Sequence, residues 1–160
     1  MNEYKKLFRS FIYAFEGIGY VIKNERNFRI HLSCIIYMFS ILLFSDWFTL
    51  SRTDYAVLLV VSAVVLSLEI VNTAVENAVN LYGEKYTKFG KIAKDAGAGA
   101  VLIAAIFAVL TGIAILFQPD AFINMFMYFK SHPAMLILLL LSVIPMTLFI
   151  FWGNPFRKRK

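Results

Sequence analysis

Between Tyr55 and Tyr82 the chain runs through Ala, Val, Leu and Ser for more than the thickness of a bilayer, and inside that run stand Glu69, Asn72 and Glu76. An α-helix rising 1.5 Å per residue crosses a hydrocarbon core of ~30 Å in roughly 20 residues, so this segment reads as a membrane span. A carboxylate at the centre of such a span costs ~2.5–3.5 kcal/mol on insertion scales, so two of them require a compensating role. At 100° per residue the three positions fall within roughly a 60° arc of one helix face. Carboxylate, amide and carboxylate thus form a single polar stripe. It is either a buried seam that glues helices together or a functional site.

Composition agrees with a membrane protein. The 160 residues are 60% hydrophobic and only 16% charged, with a mean hydropathy of +0.70, which leaves room for one compact domain. Cys34 is the single cysteine and lies in an apolar segment, and His31 and His132 are the only histidines. No disulfide framework, cysteine metal site or histidine cluster can form within one chain. The first 25 residues are amphipathic and lack the continuous apolar core of a cleavable leader.

The net charge of +6 raises nucleic acid as a partner, but its distribution argues against one. Six Lys/Arg precede residue 30, four lie between Lys85 and Lys94, and four lie in Arg157–Lys160. Only Arg52 and Lys130 fall in the remaining connections. The positive-inside rule produces this division when both termini and the central loop face the cytoplasm.

The pattern predicts an all-α membrane protein. Residues 4–24 carry Phe8, Phe11, Ile12, Phe15, Ile18 and Ile22 at helical spacing, with Lys5, Lys6, Arg9, Glu16 and Lys23 on the remainder. That is a helix lying in the membrane interface. Asn24-Glu25-Arg26-Asn27 breaks it. Spans follow over about Ile30–Phe48, Tyr55–Leu81, Ala96–Phe117 and Ala134–Trp152. Pro119 ends the third, Phe122–Phe129 reads as an interfacial segment, and Pro145 marks a kink in the fourth.

Depth separates the ends of the stripe. With the outer boundary near Tyr55, Glu69 lies ~21 Å along the helix. That leaves it roughly 9 Å short of the inner boundary. Glu76 lies about 10 Å further on, at or beyond it. The stripe therefore joins a depth a lipid head group reaches to a depth where a soluble, charged molecule waits. Lys94-Asp95 stands at the inner boundary before the Ala/Gly-rich third span. A lysine that neutralises phosphates, together with carboxylates that hold a divalent cation, makes up the apparatus of phosphoryl transfer. Magnesium takes the oxygen ligands that Glu provides. Glu25, on the cytoplasmic-interface helix, is a third candidate carboxylate. Lys85, Lys88 and Lys91 read as positive-inside anchors. Ala96-Gly97-Ala98-Gly99-Ala100 lacks the spacing of a phosphate loop and reads as a surface for close helix packing.

Glu69-Ile70-Val71-Asn72-Thr73-Ala74-Val75-Glu76, followed by Ala93-Lys94-Asp95 before an Ala/Gly-rich span, resembles the small bacterial integral-membrane diacylglycerol kinase family, which includes the undecaprenol kinases. Asn24-Glu25-Arg26-Asn27-Phe28-Arg29-Ile30-His31 is similar to the undecaprenol-kinase branch. The likeness covers about residues 5–118. It implies ATP- and Mg²⁺-dependent phosphorylation of a lipid hydroxyl by a homotrimer whose protomers each have a surface helix and three membrane helices. By the same resemblance Glu69 is the general base, Asn72 the polar residue between base and metal, and Glu25 and Glu76 the metal-holding carboxylates. Lys94 and Asp95 form the nucleotide pair, and Tyr13 and the Lys85-Tyr86-Thr87 loop also contact nucleotide.

Two departures stand out. Asn80 occupies a position where the family has Asp, and the fourth span is an addition. Residues 1–118 are thus expected to form the kinase-like unit, and 119–160 an interfacial segment, an extra membrane helix and a basic tail. The acceptor implied is undecaprenol, with diacylglycerol as the alternative. A non-catalytic membrane oligomer or cation pathway would also explain the triplet, but not the placing of Lys94-Asp95.

Overall fold

A computed structural model describes residues 3–81 and 87–152. The described chain is a succession of helices: α1 (Glu3–Asn24), α2 (Arg26–Phe44), α3 (Arg52–Leu81), α4 (Lys88–Leu116), α5 (Pro119–Ser131) and α6 (Pro133–Phe151). Among them α2, α3, α4 and α6 are long and apolar enough to cross a membrane. The expected all-α, four-span, multi-pass membrane protein is the architecture found. Boundaries differ at two places. α2 begins at Arg26 and stops at Phe44, so Trp47 lies beyond the first span. α4 begins two turns earlier than the apolar run, because Thr87 caps it: the Thr87 hydroxyl accepts from the Gly90 amide at 3.0 Å.

α1 buries only Val21 and leaves Phe8, Phe11 and Phe15 exposed. That apolar stripe is what an interfacial helix offers to lipid. The break between α1 and α2 is a single residue, Glu25, in extended conformation.

Ser51 opens α3 through a reciprocal capping box. Its backbone amide and hydroxyl both donate to Asp54 Oδ2, at 2.8 and 2.7 Å, and its hydroxyl accepts from the Asp54 amide at 3.2 Å. Gln118 ties this same end of the molecule together. Its side chain accepts from the Thr49 amide at 3.0 Å and donates to the Thr49 carbonyl at 3.1 Å. Trp47 packs on Tyr128 and Phe129, with ring centroids 5.3 and 5.5 Å away. Such an aromatic group suits a membrane–water interface.

α3 and α4 form the most extensive helix pair, and α2 packs on α3 and α6. Gly90 and Gly97 set how closely α4 approaches. A Cβ on Gly90 would meet Val79 Cγ1 at 3.0 Å, and one on Gly97 would meet Asn72 Oδ1 at 2.5 Å. Within the Ala/Gly run, Gly97 is thus the position that meets α3, while Gly99 has open space. On the far side of α2, a cavity of about 730 Å³ lies between α2, the end of α5 and α6, walled by apolar groups such as Ile41, Phe129 and Met146. Tyr37 and Ser142 hydrogen-bond within its wall at 2.8 Å.

Candidate functional site

The triplet sits where α3 is flanked by α2 on one side and α4 on the other. Glu69 is buried, as is Thr73 one turn on. The Thr73 hydroxyl donates to the Glu69 backbone carbonyl at 3.0 Å. The Glu69 carboxylate points toward α2, where His31 Nε2 lies 3.4 Å from Oε1. Asn72 turns the other way, against Gly97 of α4. Its Nδ2 donates to Glu76 Oε1 at 3.1 Å. Its Oδ1 is buried and has no partner among the described residues. Such an orphaned acceptor costs about 1–3 kcal/mol unless a ligand group satisfies it.

The remaining expected residues are placed as follows. Glu25 occupies the α1–α2 bend and is half-buried. Because α1 touches both α2 and α3, that bend lies beside the triplet's own helix. Lys94 reaches back across the α3–α4 pair, and its ammonium donates to Asn80 Oδ1 at 2.7 Å. That amide stands one turn beyond Glu76 along α3 and carries no charge of its own. Asp95 and Tyr13 are exposed, and Thr87 is the α4 cap. Lys85 and Tyr86 lie outside the described residues, as does the basic run Arg157–Lys160.

Oxygen is the donor type throughout: two carboxylates at Glu25 and Glu76, and the unsatisfied Asn72 Oδ1. No group of three His, Cys, Asp or Glu ligands is present among the described residues. Oxygen is the donor type magnesium takes, and with a nucleotide it keeps several waters and phosphate oxygens as ligands rather than an all-protein cage.

Two residues that sequence reasoning left aside belong to this region. His31 entered the reading only in the histidine count and in a branch-like string, and its contact with Glu69 joins positions 38 apart in the chain. Arg29 is buried and donates to the carbonyls of Ile22 at 2.8 Å, Lys23 at 3.1 Å and Ile150 at 3.0 Å. It therefore caps the ends of α1 and α6 with one guanidinium, a favourable place for positive charge. The available signal was a basic residue one turn inside an apolar span.

Residues 12–116 match the family model described as prokaryotic diacylglycerol kinase, and so take in every described position of the site. The chain belongs to this family. A Synechocystis sp. protein named diacylglycerol kinase is 41% identical over 111 residues, which is 69% of this chain but only 62% of that protein's length. The undecaprenol kinase of Bacillus subtilis (strain 168) is 33% identical over 114 residues, or 71% of this chain and 90% of the relative. The diacylglycerol kinase of Escherichia coli (strain K12) is 34% identical over 107 residues, 66% and 84% respectively. Membership in a lipid-kinase family bears out the resemblance drawn from Glu69–Glu76 and Lys94-Asp95. The match stops at the end of α4, so α5 and α6 lie beyond it.

Proposed function

We propose that this protein is a lipid kinase that moves the γ-phosphoryl group of ATP to the hydroxyl of a membrane lipid, with undecaprenol as the acceptor. The observation that carries the reading is the division within the triplet. Glu69 is buried among apolar helices, while Asn72 and Glu76 form a hydrogen-bonded polar pair further along the same helix. Glu69 is the general base for the lipid hydroxyl. Asn72 holds Glu76 and offers its free carbonyl oxygen to the bound reactants. Lys94, Asp95, Tyr13 and the Lys85-Tyr86-Thr87 segment bind nucleotide, with the Lys94 charge directed at phosphate. Glu25 and Glu76 would hold Mg²⁺, which when bound offsets charge on the phosphate oxygens.

Diacylglycerol is the second acceptor to weigh, since relatives of both names are similar to this chain. Undecaprenol is preferred on the Asn24–His31 string and on the near-complete span of the Bacillus subtilis relative.

The charge distribution supports both termini in the cytoplasm, at the bacterial cell membrane. A homotrimer has support in α3 itself. Val57, Val60, Val64, Ser67, Val71, Ala74, Ala78 and Leu81 repeat at alternating steps of three and four residues, and all are exposed in the single chain. This is a heptad seam of small and β-branched side chains, suited to close packing between copies in lipid. The family match ends at residue 116, which supports 1–118 as the kinase unit and 119–160 as an appended one.

Purified protein given ATP, Mg²⁺ and each lipid alcohol separately tests the reading. Phosphorylation of undecaprenol is expected; turnover of diacylglycerol alone would overturn the acceptor assignment. Glu69→Gln should lower turnover by about 10²–10⁴-fold, the usual contribution of a positioned base, with the fold retained. Undiminished turnover in that variant would remove Glu69 as the base.

A further inference from the structure

We propose that His31 is the proton outlet of the site: it positions the Glu69 carboxylate and takes from it the proton drawn from the lipid hydroxyl. The inference rests on the kinase reading above and extends it to a residue with no assigned part.

The geometry is specific. Among the described residues, His31 is the side chain paired with the Glu69 carboxylate, at 3.4 Å from Nε2 to Oε1. The Glu69 side chain is 5% exposed and that of His31 27%. A base enclosed to this degree needs a neighbouring group to take its proton before a second turnover. His31, the less enclosed of the pair in the single chain, is the group within reach of it. Imidazole suits the task because it accepts on one nitrogen and releases from the other near neutral pH. A purely structural pairing would be served equally by an amide, which offers a donor but cannot relay.

The balance is complete. As the lipid O–H bond breaks, its electron pair forms the bond from oxygen to the γ-phosphorus. The bond from that phosphorus to the bridging oxygen breaks, and its electron pair leaves on the β-phosphate of ADP. The proton passes to Glu69 Oε1, then to His31 Nε2; the imidazolium gives up the proton on Nδ1 to water, and exchange of the remaining proton from Nε2 to Nδ1 through water restores the starting tautomer.

The test uses the full chain in lipid micelles with ATP, Mg²⁺ and the acceptor that the wild type phosphorylates. H31Q should lose at least about tenfold in kcat, the low end for positioned proton transfer, while KM for ATP and lipid and the thermal midpoint stay at wild-type values. H31A should regain turnover with added imidazole, whereas E69Q should not. Wild-type kcat in H31Q, or a folded H31A that does not respond to imidazole, overturns the relay alone. If H31Q does not fold, H31N takes its place under the same criteria. A wild type that phosphorylates neither lipid alcohol overturns the kinase reading, and the relay with it.

Discussion

Asn72 is held from two sides by residues of different kinds. Its amide nitrogen is spent on Glu76, and its buried oxygen faces the bare backbone of Gly97. Gly97 is therefore part of the site even though it has no side chain. In Gly97→Ala the new Cβ would stand 2.5 Å from Asn72 Oδ1, so the amide must rotate or α4 must withdraw. Rotation breaks the Asn72–Glu76 bond, and withdrawal opens the α3–α4 packing around Asn72. Overpacking of this kind costs about 1–3 kcal/mol, which a detergent-solubilised thermal midpoint would register. The expected outcome is a folded protein with lower kcat and a raised KM for ATP. Gly99, which has open space around its would-be Cβ, is the matched control and should tolerate Ala.

The residues of the triplet were legible in the sequence because two carboxylates in an apolar run have no cheap explanation. Gly97 was legible only as one of several small residues. Nothing in the chain marks it off from Gly99 until the register of α4 on α3 is known. His31 was hidden for the same reason: a lone histidine carries no spacing pattern, and its meaning comes from the acid across the groove.

Among the elements, α5 and α6 lie beyond the family match, and the end of α6 is tied down by Arg29. The guanidinium reaches Ile150 on one side and Ile22 and Lys23 on the other, so a single residue clamps the ends of α1 and α6 beside the Glu25 bend. Lysine keeps the charge but lacks the planar fork that spans both. Arg29→Lys should cost about 1.5–3 kcal/mol, the range for hydrogen bonds made by a charged group. A lowered thermal midpoint would show it, and wild-type stability would refute the clamp.

Apart from the Tyr37–Ser142 hydrogen bond, the remainder of the α2–α6 contact is apolar side chain against apolar side chain. In lipid such a surface gains little from being covered, because acyl chains solvate it as well as a helix does. A chain ending after Phe117 should therefore insert and still phosphorylate its lipid. Complete loss of turnover in that truncation would make α5 and α6 part of the kinase unit rather than an appendage to it.

For the whole molecule the open question is what covers α3. Its heptad seam holds no charged side chain, and Val60 and Val71 are 62% and 55% exposed. If copies of the chain pack there, Ala74→Trp should block their approach. The expected result is a smaller particle by light scattering in detergent, with turnover lost. Leu110→Trp, on a face of α4 that the seam does not include, should change neither. An unaltered particle size for Ala74→Trp would place any self-association on another face.

Sequence alone determined the number of spans, the interfacial helix, the charge topology expected of the loops and the stripe of Glu69, Asn72 and Glu76. These follow from periodicity and from the cost of charge in hydrocarbon, which are properties of single segments. Only the tertiary structure decided that Glu69 turns toward His31 while Asn72 turns toward Gly97, that Lys94 rests on Asn80, and that Arg29 joins α1 to α6. Those pairings depend on the register and rotation of one helix against another. Register is set by where small residues allow backbones to approach, and an apolar helix in lipid reveals little of that through its own periodicity.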